Sequence, residues 1–175
     1  ANPEREAIVH GDRRITYAQL TERTRRLANY LRGRGLDVTA ERGDLAGWES
    51  GQPHLGLYLY NCPEYLEGMI GSYKARVAPF NVNYRYVEEE LRYLLNDSQA
   101  QALIYHSAFA PVLEAVRADL PGLQVLLQVP DESGHDLLPD AVWYEDALAS
   151  VHADKPDVEW SPDDLYILYT GGTTG

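Results

Sequence analysis

Short apolar runs recur along this chain at Leu55 to Tyr60, Val77 to Val82, Ala102 to Tyr105, Leu123 to Val129 and Leu165 to Tyr169. Between each neighbouring pair lies a stretch whose apolar residues follow helical spacing. Strands joined by helices of this length cross over and return parallel, so the alternation predicts the α/β class. The expected architecture is a layered αβα domain with a mainly parallel sheet, right-handed crossovers and helices on both faces. At 175 residues, 45% hydrophobic and 24% charged, the chain has enough apolar material for one such core.

Local signals refine this order. Ala7 to Thr16 reads as a hairpin with turn chemistry at Gly11 and Asp12. Thr16 then opens a helix with Gln19 as its capping-box partner, and Gly33 and Gly35 end it. Its stripe is Tyr17, Leu20, Thr24, Leu27, Ala28 and Leu31, which turns Arg23, Arg25, Arg26 and Arg32 outward as a solvated face. Asp37 to Pro53 is a polar loop carrying Trp48. Asn61 or Cys62 caps the next helix, with Pro63 and Glu64 in its first turn and a core stripe of Tyr65, Leu66, Met69, Ile70 and Tyr73. Pro79 marks its strand as an edge, because proline has no N–H for a central ladder. The three carboxylates Glu88, Glu89 and Glu90 point about 100° apart on a helix, so they suit its positive end and not one metal ion. The same helix carries Val87, Leu91, Leu94 and Leu95 inward. Ser107 caps a further helix, Asp131 to Asp140 is a polar loop, Tyr144 to Ser150 a short helix and His152 to Asp164 an acidic linker.

Several functions are disfavoured. A net charge of −12 argues against nucleic acid or an anionic membrane as partner. The single cysteine, Cys62, allows no disulfide framework and fits a reducing cytoplasm. No apolar run approaches the ~20 residues of a membrane span, and the first residues lack a signal-peptide pattern. The five histidines share no metal-ligating spacing.

The informative motif is the last one. The run Leu165 to Tyr169 reads as a buried strand, followed by Thr170-Gly171-Gly172-Thr173-Thr174-Gly175. Glycines admit close backbone approach, and hydroxyls and N–H groups suit an anion, so a strand entering such a loop is a phosphate cradle. The glycine interval fits neither the Walker pattern nor a dinucleotide fingerprint.

The string Tyr169 to Gly175 resembles the phosphate-binding signature of adenylate-forming enzymes, with Gly171 where serine is commonest and without the Pro-Lys-Gly that usually follows. Asn61-Cys62-Pro63-Glu64-Tyr65, Asn81-Val82-Asn83-Tyr84-Arg85 and Glu90 to Ser98 resemble upstream segments of the same family, closest to actinobacterial acyl-CoA synthetases. The resemblance implies an AMP-forming acid–thiol ligase that activates a fatty or steroid side-chain carboxylate with ATP and Mg²⁺ and passes the acyl group to coenzyme A. It implies that Thr170, Gly171, Gly172, Thr173, Thr174 and Gly175 hold the ATP phosphates, with Thr170 as a hydroxyl near the metal. No catalytic residue falls in this stretch. Residues 1–175 then form an incomplete N-terminal α/β subdomain of a larger AMP-binding domain, cut within the phosphate loop and inactive alone. Two alternatives are a non-catalytic α/β interaction module, with the Asp131–Asp140 loop facing a partner, and an adenylating enzyme whose acceptor is a carrier-protein thiol. The Asn83–Tyr86 loop is a candidate homo-oligomer surface, weighed against a plain surface loop.

Overall fold

The computed structural model describes residues 2–170. A hairpin of β1 (Glu6–His10) and β2 (Arg13–Thr16) is antiparallel. It leads into α1 (Tyr17–Gly33), where Thr16 Oγ1 accepts from the Gln19 N–H at 3.2 Å and Gln19 Oε1 accepts from the Thr16 N–H at 2.8 Å. That reciprocal pair is the expected capping box. The chain continues through β3 (His54–Tyr58), α2 (Pro63–Ala75), β4 (Ala78–Asn81), α3 (Glu88–Asp97), β5 (Ala102–His106), α4 (Ala110–Val116), β6 (Val125–Val129), β7 (Val142–Trp143) and α5 (Tyr144–Ala149).

β4-β3-β5-β6-β7 form one sheet in which every pairing is parallel. Its central strands are apolar on both faces, and alternate side chains divide between two cores. Leu55, Leu57, Ile104, Val125 and Leu127 join α1, α2 and α5 on one side. Tyr58, Leu103, Tyr105 and Leu126 join α3 and α4 on the other. The αβα layering is therefore as the alternation requires, and Pro79 sits on β4 at one end of the strand order.

Three tyrosines are core residues whose hydroxyls all find partners. Fully buried Tyr58, Tyr105 and Tyr144 donate to the Tyr86 carbonyl, Gln128 Oε1 and Glu67 Oε2 at 3.0, 2.7 and 3.0 Å. Gln128, also fully buried, takes up both ends of its amide. Its oxygen accepts from Tyr105 and the Leu138 N–H, and its nitrogen donates to Ser107 Oγ and the Asp136 carbonyl. The polar loop from 131 to 140 is thus pinned to the sheet at Asp136 and Leu138.

Several local expectations are corrected. Of the stripe Tyr65, Leu66, Met69, Ile70, Tyr73, Tyr65 and Met69 pack partly against the core, and none is the fully buried face of α2. Glu67, Gly68, Gly71, Ser72 and Ala75 are buried instead, and Leu66 is 43% exposed. Small residues let α2 lie close to α1, and close approach outweighs the side-chain bulk that periodicity counts. Arg23 and Arg26 are not a solvated face. Arg23 grips Glu67 and Glu145, and Arg26 donates to the Val151 carbonyl. Ser107 is buried and donates to the Val129 carbonyl, so it caps nothing, and Asp131 instead accepts from the Ala108 N–H at 2.9 Å. Val87 precedes α3 and is exposed, while its N–H donates to Glu90 Oε2 at 2.9 Å. The two-residue β7 escaped the sequence pattern because it is too short to show a period.

Candidate functional site

Parallel strands place all their carboxyl ends on one edge, and ligands of such sheets sit there, where the strand order reverses. The chain passes from β3 to β4 on one side and then to β5 on the other. The crevice between β3 and β5 is walled by rings. Tyr60 lies 5.2 Å from Tyr84, 5.4 Å from His106 and 4.9 Å from Phe109, centroid to centroid. The Tyr60 N–H donates to His106 Nδ1 at 3.0 Å, which leaves the proton of the neutral ring on Nε2. Burial holds the His106 pKa below its ordinary value, with Asp131 and Glu64 opposing it, so the ring is neutral at pH 7. Sequence reading missed this cluster because its members come from three separate segments, Tyr60, Tyr84 and His106 to Phe109.

Cys62 lies just past the end of β3. Burial pushes its thiol up to about 12, so it is no nucleophile at neutral pH. Alkylation of Cys62 by iodoacetamide at pH 8 is expected to run about a hundredfold or more slower in the folded chain than in urea. Equal rates would show the thiol to be accessible and acidic.

The approach to the Thr/Gly motif runs along β4. Ile167 pairs with Phe80 in parallel, and its N–H donates to the Pro79 carbonyl at 3.1 Å. The Leu165 N–H donates to Gln52 Oε1 at 2.7 Å. The expected buried strand from Leu165 to Tyr169 is reduced to this one bridge. Tyr166, Leu168 and Tyr169 are 39%, 67% and 36% exposed, because the segment lies outside edge strand β4 with no described neighbour on its far side. Ile167 and Tyr169 face α3, where the Tyr169 hydroxyl donates to Asp97 at 2.7 Å. They share a groove of about 620 Å³ with Trp48, Ser50, His54 and Leu165.

Thr170 is exposed and lies three residues beyond Ile167, past the end of β4 at Asn81. The Thr/Gly run therefore begins at the carboxyl edge, on the same side as the aromatic crevice. Gly171, Gly172, Thr173, Thr174 and Gly175 lie outside the described residues. Among the described residues no group of His, Cys, Asp and Glu is placed to hold a metal. The Thr170 hydroxyl is one neutral oxygen, and Mg²⁺ takes such ligands together with carboxylates and substrate phosphates.

The comparisons agree with this geometry. The model of the AMP-binding enzyme family matches residues 1–175. The medium-chain acyl-CoA ligase Mig of Mycobacterium avium is 60% identical over all of this chain and 32% of its own length. The 3-oxocholest-4-en-26-oate–CoA ligase of Rhodococcus rhodochrous is 40% identical over 99% of this chain and 29% of its own. The chain thus spans about a third of the length of the curated relatives it matches. Among solved structures, the anthranilate CoA ligase AuaEII, crystallised with anthranoyl-AMP, superposes with a TM-score of 0.83 at 22% identity, covering 99% of this chain and 30% of that one. The N-terminal domain of FACL13 from Mycobacterium tuberculosis superposes with 0.71 at 30% identity, covering 94% and 36%. No helix among the described residues is long and apolar enough to cross a membrane. The chain belongs to the AMP-binding enzyme family.

Proposed function

We propose that residues 1–175 are the first α/β subdomain of an AMP-forming acyl-CoA ligase, ending within the loop that cradles the ATP phosphates. The observation that carries this reading is the docking of residues 165–169 parallel to β4, which starts the Thr/Gly run at the carboxyl edge of the sheet. In this reading a carboxylate oxygen attacks the α-phosphate of ATP and displaces pyrophosphate. The thiol of coenzyme A then attacks the acyl carbon and AMP leaves. Thr170, Thr173 and Thr174 supply hydroxyls and Gly171, Gly172 and Gly175 supply N–H groups to the phosphates, so the loop acts by positioning and charge stabilisation. Mg²⁺ enters as the companion of the nucleotide, carried by its phosphates. The substrate is a medium-chain fatty acid or a steroid side-chain acid, by likeness to the relatives named above, and the setting is the cytoplasm.

A panel of these carboxylates, given to the intact protein with ATP, Mg²⁺ and either coenzyme A or an acyl carrier protein, tests the reading. Acyl-CoA is expected from at least one member. AMP release driven by no carboxylate would defeat it, and acyl transfer only to the carrier protein would replace the acceptor.

A further inference from the structure

The residue after α2 takes an unusual conformation. Arg76 has φ 58° and ψ 35°, in the left-handed region that favours glycine at helix ends. A non-glycine residue stays there when the surrounding contacts over-determine it. Arg76 has such contacts on both sides. Its Nε and Nη2 donate to Asp164 at 3.0 and 2.9 Å, and its Nη1 and Nη2 donate to Glu41 at 2.8 and 2.8 Å. The Arg76 and Asp164 side chains are only 12% and 11% exposed, which makes this pair more than a solvated surface contact. Gln52 completes the arrangement. Its nitrogen donates to the Arg76 carbonyl at 2.9 Å, and its oxygen accepts from the Leu165 N–H.

These contacts lie where two chain segments start side by side. Arg76 is two residues before β4, and Asp164 is the residue before the approach segment. Further along, the same two segments meet again at Phe80 and Ile167. A single bridge is a weak determinant of register. A slip of one residue would turn Ile167 and Tyr169 from α3 to the opposite face and move Thr170 by about 3.3 Å.

We propose that Arg76 is a positioning residue: with Asp164 and Gln52 it sets the register of residues 165–169 on β4, and so the point at which Thr170 leaves the sheet. This rests on the ligase reading for its catalytic consequence alone. Arginine at this position keeps its backbone strain because its planar fork reaches two carboxylates at once, which neither glycine nor lysine can do.

The test uses the intact protein and the variants Arg76→Gly and Arg76→Lys. Glycine accepts the left-handed backbone and removes the fork, so helix capping survives while the clamp is lost. Asp164→Asn, which weakens the grip from the other side, guards against a misfolded variant. Hydrogen exchange at the Leu165 and Ile167 amides is expected to quicken in all three, with α1 and β5 amides unchanged. The KM for ATP in carboxylate-dependent pyrophosphate exchange is expected to rise about tenfold or more, with the KM for the carboxylate unchanged. Exchange at both amides and the KM for ATP remaining at wild-type values in Arg76→Gly would overturn the proposal. If the wild-type protein shows no pyrophosphate exchange, the ligase reading falls, while the amide measurement, which needs no substrate, still decides the register claim.

Discussion

Replacing Glu67 by alanine is expected to lower stability by about 3–5 kcal/mol, because it strands buried partners of a carboxylate. Glu67 has no exposed side-chain surface and accepts from Arg23 Nε at 2.7 Å, from Arg23 Nη2 at 3.0 Å and from the Tyr144 hydroxyl at 3.0 Å. Burial alone would lower the Arg23 pKa, and the hydrogen bonds to Glu145 and Glu67 more than reverse it. Burial, reinforced by the Glu67 charge, likewise raises the pKa of Tyr144 and keeps its phenol protonated. The cluster ties α1, α2 and α5 together on one face of the sheet. Glu67→Gln keeps an acceptor for Tyr144 and is expected to lose less. Urea unfolding of the three proteins, followed by circular dichroism, checks the order. An alanine variant within 1 kcal/mol of wild type would mean the ion pair adds no net stability, a bound set by how little exposed pairs contribute.

Gly71→Val is expected to cost about 3 kcal/mol by overpacking. A Cβ at Gly71 would meet Leu27 Cδ2 at 2.6 Å, Cγ at 2.9 Å and Cβ at 3.0 Å. Leu27 is fully buried in the same core, so it cannot swing aside. The helices α1 and α2 must then separate, and the face they share is the one that Glu67 anchors. Gly33, with nothing within 4 Å, is the control, and Gly33→Ala there is expected to be neutral or to stabilise by up to about 1 kcal/mol. A melting temperature for Gly71→Val equal to that of Gly33→Ala would contradict the close approach of the two helices.

The contrast between these helices shows what the sequence carried. The α/β order, the Thr16 capping box and the edge role of Pro79 were legible because each depends on local chemistry or on period alone. The packing face of α2 was not. Its apolar residues follow one stripe, while the contact surface is built from Gly68, Gly71, Ser72, Ala75 and a charge whose partner lies 44 residues away. Periodicity weighs side-chain hydrophobicity and has no way to register an interface made of smallness and one long-range ion pair. The same limit applies to Leu165–Tyr169. Its residues read as a buried strand, yet burial needs a neighbour on both sides, and among the described residues only β4 pairs with it. At the site, the Thr/Gly run is a contiguous string, and its proposed phosphate role rests on that string. The aromatic crevice and the Arg76 clamp were not legible, since each joins segments that only the sheet topology brings together.

In the proposed reading, this chain is scaffold that aims a phosphate loop whose chemistry requires a larger enzyme. Carboxylate-dependent exchange of labelled pyrophosphate into ATP, measured side by side for the isolated 175-residue chain and for the intact protein, tests it most directly. Exchange is expected from the intact protein and none from the isolated chain. Robust exchange by the isolated chain, or none by the intact protein with any fatty or steroid carboxylate, would contradict it.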